Sequence, residues 1–164
     1  MKSGGDQEFE SLTMPHVHAL FQTALQLTEN RAAAAELVHE VYACAWKSFR
    51  LGDHPADWRL RLFKILMERA RRRPGKPKHG TPSSLPTDDV TAALARLPPA
   101  LREMVLLIDG QEFSYDETAA ILDLCGEAIA KGIALGREHL MKGLTEMPVS
   151  RAQEYFAEHS KNAG

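Results

Sequence analysis

Cysteine is scarce, with only Cys44 and Cys125 in 164 residues. Two thiols in apolar contexts make no disulfide framework and are expected as small buried residues; a redox pair is the weaker alternative. Aromatic residues are only 7% of the chain while Ala and Leu abound, which favours helix over sheet. No run approaches 18 apolar residues, so no membrane insertion is expected. The start, MKSGGDQEFE, has no apolar signal core, and a cytoplasmic protein is expected. Catalytic signatures are missing too. No Ser, His and Asp set, Cys and His set, phosphate loop or metal spacing is recognisable. The seven histidines are scattered, and none pairs at i, i+4 with a Glu between them. Neither an enzyme nor a cofactor nor a metal is expected.

What is present points to a polyanion. Apolar content of 44% and charged content of 26% are those of a soluble globular protein. The net charge of −2 hides an asymmetry. From Ala56 to Gly80 there are nine Lys or Arg and two acidic residues; from Thr81 to Ala120 there are two basic and seven acidic. A merely solvated face is the bland reading of such a block, but its density suggests a polyanionic partner.

Pattern and punctuation predict an all-α chain of two small helical domains joined by a Pro-rich linker. Met1 to Glu8 reads as disordered. Phe9 to Leu27 has helical spacing with Leu12 inward, and Pro15 opens or kinks a helix. His16 and His18, two apart, point to different sides and read as exposed or capping residues. Thr28 to Arg31 is a polar connection. A central helix then runs to about Phe49 with Leu37, Val38, Val41, Tyr42, Ala45, Trp46 and Phe49 on one face. Arg50 to Asp57 is a loop, and Asp57 caps a helix over Trp58 to Arg72 with a basic outer surface. Pro74 to Pro86, PGKPKHGTPSSLP, is a linker. Thr87 with Asp88 and Asp89 opens the next helix, Pro98-Pro99 breaks it, and a helix follows to about Asp109. Ser114-Tyr115-Asp116-Glu117 is a capping box for a helix to Leu122. After a turn at Asp123 to Gly126 a last helix runs from Glu127 to about Leu144. Helix, tight turn, helix is a helix-turn-helix layout. The predicted divisions are 1–73, the linker 74–86, 87–144, and a tail 145–164 that is either a short helix docked by Val149, Tyr155 and Phe156 or, equally, a loose end.

The order of residues adds to the periodicity. AAELVHEVYACAWKSF, Ala34 to Phe49, resembles the second conserved region of bacterial extracytoplasmic-function sigma factors, with Leu37, Val38, Glu40, Val41, Ala45, Trp46 and Phe49 in register. ALARLPPALREMVLLIDGQEFSYDETAAIL resembles their fourth region through Ala93, Leu94, Leu97, Pro98, Arg102, Leu107, Ser114, Tyr115, Glu117, Ala119 and Leu122. The resemblance implies a protein that binds core RNA polymerase and directs it to promoter DNA, with an anti-sigma factor as a further partner. It implies polymerase contact through Glu36, His39, Glu40 and Lys47. It implies contact with the −10 region through the loop and basic helix, by Arg50, Asp53, Arg59, Arg61, Lys64 and Arg69. Ser114, Tyr115, Lys131 and Arg137 are implied for the −35 region. Trp58 could stack a base, but core is the expected place for it, as for Trp46.

The last helix departs from the family. Ala128, Lys131, Gly132 and Leu135 stand where the family has Thr, Ser, Arg and Arg; only Arg137 keeps a basic position. Gly132 and Gly136 each weaken the helix by about 1 kcal/mol relative to Ala. Two rivals therefore stand beside the promoter-directing reading: a sigma-like interaction protein that binds an anti-sigma factor or polymerase without reading promoters, and a helix-turn-helix regulator. A small helical enzyme is a remote third.

Overall fold

The structure, a computed structural model, describes residues 4–73 and 89–145. It is all-α, with no strand among the described residues. The chain divides into two compact units, Met1–Ser83 with Ala120–Leu122, and Ser84–Ala119 with Asp123–Gly164. The linker, Thr87 and Asp88, and the tail beyond Thr145 lie outside the described residues.

The first unit contains α1 (Gly4–Thr13), a 3₁₀ turn over Met14–His16, α2 (Val17–Thr28), α3 (Arg31–Arg50) and α4 (Trp58–Arg72). Helices α2, α3 and α4 pack on one another, and α1 lies against α4. The shared core holds Leu20, Ala24, Leu37, Val41, Ala45, Leu62, Phe63 and Leu66. Local chemistry sets the ends. Asn30 caps α3, its side chain accepting the Ala33 N–H at 2.9 Å, and Asp57 caps α4 by accepting the Leu60 N–H at 3.1 Å. Pro15 falls in the 3₁₀ turn, where its missing N–H costs no helical bond.

Three expectations are corrected here. The start is helical from Gly4, not disordered to Glu8. One residue explains it: Phe9 is buried, with its ring 5.1 Å from Trp46, 5.4 Å from Phe49 and 5.5 Å from Trp58. Aromatic contacts at such spacings add about 0.5–1.5 kcal/mol each beyond burial. Leu12 is exposed, and the buried Thr13 takes the inward place, its hydroxyl donating to the Phe9 carbonyl at 2.8 Å. The Tyr42 hydroxyl in turn donates to the Thr13 carbonyl at 2.8 Å, and burial pushes its pKa up to about 12. Trp46 is half-buried, stacked on Phe49 at 5.8 Å, whereas Trp58 is in the core as expected.

The second unit contains α5 (Asp89–Arg96), α6 (Pro99–Val105) continued by a π-helical turn over Leu106–Gly110, α7 (Tyr115–Leu122) apart from its last three residues, and α8 (Gly126–Thr145). The predicted capping box is present. Ser114 Oγ accepts the Glu117 N–H at 3.1 Å, and Glu117 accepts the Ser114 N–H at 2.8 Å. Arg102 donates to the Ala95 and Leu97 carbonyls, satisfying the orphan acceptors at the end of α5.

The cysteine expectation fails for Cys125, which is exposed, and Cys44 is half-buried. The glycines of α8 also need a new reading. Gly132 and Gly136 are buried against α6. A Cβ on Gly132 would run into the Met104 thioether, and one on Gly136 would lie 2.9 Å from Val105 Cγ2. Their cost in helix propensity is real, but the missing Cβ atoms are what let α8 approach α6.

Candidate nucleic-acid interface

The basic helix α4 presents its cations from a well-anchored scaffold. Its inner face buries Trp58, Leu62, Phe63, Ile65, Leu66 and Met67, so the remaining positions of the helix must carry its charge. Arg59, Arg61, Lys64 and Arg69 are half-buried, their stems lying along the bundle; Arg71 and Arg72 are exposed. Arg50 is exposed in the last turn of α3. Two arginines are held by carboxylates of the same unit. Arg61 pairs with Asp53 at 2.9 Å, tying the loop to the helix. Arg73 pairs with Glu40 at 2.8 Å and donates to the Ala33 carbonyl at 3.1 Å, tying the end of α4 to α3. Near the start of α4, burial first and Arg59 second hold the His16 ring below its ordinary pKa, with Asp57 pulling the other way.

The α3–α4 loop is tightly specified. The Leu51 N–H donates to the Ser48 carbonyl at 3.0 Å, Gly52 to Phe49 at 3.0 Å, and Asp53 to Ser48 at 3.0 Å. Gly52 has φ +90°, a conformation that favours glycine. The His54 ring meets Phe49 edge-on at 4.7 Å.

On α3, Glu36, His39 and Lys47 are exposed and Glu40 is half-buried. They lie at helical spacing on one side, so the four residues share a face. It is not a uniformly available surface, because Glu40 already holds Arg73.

On α7 and α8 several polar groups have partners within the unit. The Ser114 hydroxyl is used in the capping box. Tyr115 is 41% exposed. Lys131 pairs with Glu127 one turn earlier at 2.6 Å, and Lys142 with Glu138 at 2.6 Å. Arg137 makes a bidentate pair with Asp109, 3.1 Å from Nε and 2.6 Å from the terminal nitrogen. The Asp109 side chain is only 12% exposed, and the hydrogen bond to it is the first cause of a raised Arg137 pKa. Nothing local in the sequence marks Asp109, 28 positions away, as the partner. The neighbour Glu127 is one helical turn from Lys131, and that pairing was legible from spacing.

Comparison with known proteins agrees with this arrangement. Residues 87–140 match the family described as Sigma-70, region 4. A solved sigma factor RpoE in complex with the anti-sigma factor NepR, from Bartonella quintana, is similar with a TM-score of 0.68 and 23% identity, covering 85% of this chain and 98% of that one. CnrH, solved in complex with the cytosolic domain of CnrY, is similar with a TM-score of 0.74 and 25% identity, covering 89% of this chain and 93% of that one. Residues 87–140 thus carry a sigma-70 region 4 domain, and the chain as a whole has the fold of these solved proteins.

The fold is that of a solved sigma factor. No helix among the described residues is long and apolar enough to cross a membrane. Helices α7 and α8 and the turn between them keep the layout of a helix-turn-helix. On the outward side of α8 the ion-paired Lys131 and Lys142 alternate with exposed Ala130, Ala134, Leu135, His139 and Met141.

Proposed function

We propose that this chain is a cytoplasmic sigma factor that binds core RNA polymerase and directs it to promoters. The single observation that carries the proposal is the match of residues 87–140 to sigma-70 region 4, seated on a helix-turn-helix. Polymerase contact falls to the α3 face with Glu36, His39, Glu40 and Lys47. The −10 region falls to Arg50, Asp53, Arg59, Arg61, Lys64 and Arg69, whose phosphate contacts supply affinity with little sequence information. The −35 region falls to Ser114, Tyr115, Lys131 and Arg137. An anti-sigma factor is a further proposed partner, since both solved relatives are described with one or with a cytosolic partner domain.

A second reading has its own support. Lys131 and Arg137 both hold intramolecular carboxylates, which favours a sigma-like protein that binds polymerase or an anti-sigma factor without reading a −35 sequence. Pull-down with core polymerase, followed by transcription from a genomic promoter set, separates the two. Co-purification with promoter-selective transcripts supports the first reading. Co-purification with no transcript from any promoter supports the second, and absence of both rejects the polymerase role.

A further inference from the structure

The outward side of α8 carries an apolar edge. Ala130, Ala134 and Met141 are exposed, Met141 by 50%. At 3.6 residues per turn they fall within about 40° of one another, in one line along the helix. The opposite side, with Gly132, Gly136 and Leu140, is buried, the two glycines against α6. A single exposed apolar residue needs no explanation. This edge is different because every Lys and Arg of α8 already faces a carboxylate: Lys131 is held by Glu127, Lys142 by Glu138 and Arg137 by Asp109. A phosphate backbone is therefore a poor occupant of the edge, and an apolar segment is a good one.

The sequence that follows α8 supplies such a segment. Helix α8 ends at Thr145, and Pro148 cannot continue it, which leaves 146–149 as a connection of the length that joins antiparallel helices. Ser150-Arg151-Ala152-Gln153 has the spacing of a capping box, and Ala152, Tyr155 and Phe156 stand at i, i+3 and i+4, one face of a helix. We propose that residues 146–164 fold back as a short helix antiparallel to α8 and cover its apolar edge, with Tyr155 and Phe156 against Met141 and with Ala134 leaving room for a ring. The reach is sufficient. Ten residues of helix from Ser150 span about 15 Å, the length of α8 from Thr145 back to Leu135, so Phe156 comes level with Met141 to within about one turn. A thioether is also a favourable neighbour for an aromatic ring. The segment then sits over the outward side of α8 and competes there with any DNA or protein partner. The inference rests on the α8 edge and the sequence beside it, and holds under either reading of the function.

The test is disulfide trapping in the full chain, with Cys44→Ala and Cys125→Ser removing the native thiols. A disulfide needs its two Cα atoms within about 7 Å. Met141→Cys with Phe156→Cys is expected to close an intramolecular disulfide roughly tenfold faster, or more, than Leu135→Cys with Phe156→Cys, because Leu135 lies about 120° further round α8. A segment that visits both positions at random would close them at nearly equal rates, since loop closure depends only weakly on length, and that result overturns the proposal. Disulfide-linked dimers in place of the intramolecular bond overturn it in favour of a second copy of the chain. Hydrogen exchange gives a readout without new cysteines. Tyr155→Ser with Phe156→Ser should speed exchange in the last turn of α8 by roughly threefold or more, and exchange equal to wild type overturns the proposal.

Discussion

The two units hold their helices together in different ways and dispose of their charges differently. The first is wedged apart by large side chains: Phe9, Phe49 and Trp58 meet at one end, with Phe63 fully buried beneath α4. The second is drawn together by missing ones, with Gly132 and Gly136 letting α8 settle on α6. Helix α4 uses ion pairs at the loop and at its end, and its half-buried and exposed basic residues continue between them. On α8, Lys131, Arg137 and Lys142 are all paired within the unit. A helix can thus keep the place of a reader in a helix-turn-helix after its cations have been turned to internal work.

The largest effect should come from the aromatic end of the first unit. Trp58→Ala should destabilise it by about 3–5 kcal/mol, the range for a buried large aromatic, and Trp46→Ala by less, because Trp46 is only half-buried. Equal losses in urea unfolding would show that exposure does not separate the two tryptophans.

Charge display can be broken next. Replacing Arg59, Arg61 and Lys64 together by Ala should lower the salt slope of DNA binding by about three units, if each contacts a phosphate. Lys131→Ala should change affinity by much less than the roughly 1–3 kcal/mol of a bidentate base contact, because its ammonium already faces Glu127 at 2.6 Å. A larger effect from Lys131 than from the triple change, in titrations at several salt concentrations, would reverse the contrast between α4 and α8.

Packing by glycine gives a finer test. Propensity alone predicts that Gly136→Ala stabilises α8 by about 1 kcal/mol. Contact predicts the reverse. The new Cβ would lie 2.9 Å from a methyl of buried, β-branched Val105, and overpacking should destabilise by about 1–3 kcal/mol. Gly132→Ala should cost less, since the Met104 side chain it meets is flexible. Thermal melts of the two variants measure the difference.

The smallest effect concerns pH. The folded-state pKa of Tyr42, about 12, lies above the unfolded value of about 10. Its contribution is therefore complete below pH 10 and lost as pH rises from about 10 to about 12. Partial exposure reduces the effect to about 1 kcal/mol. Tyr42→Phe should flatten stability over that window relative to wild type, and an unchanged alkaline slope in denaturant titrations would show that burial of the Tyr42 phenol adds no pH dependence.

Much of the first unit was legible because its signals are local. Apolar spacing in α3 and α4, Asp57 at a helix start and Gly52 in a loop each act within a few residues. The same holds for the capping box at Ser114. The −35 candidates were less legible. Their residue types survive in the sequence, but availability depends on partners, and the carboxylate that holds Arg137 comes from a π-helical turn on another element.

Helix content, the caps and the helix-turn-helix order were determined by the sequence itself, because side-chain periodicity and backbone capping act over one or two turns. Tertiary structure alone decided that α1 begins as early as Gly4, that Gly132 and Gly136 are close contacts, and that Arg137 is committed to Asp109. Each of those outcomes depends on which distant surface arrives opposite a residue. A phenylalanine ring, an absent Cβ and a guanidinium acquire their energetic meaning only from what packs against them.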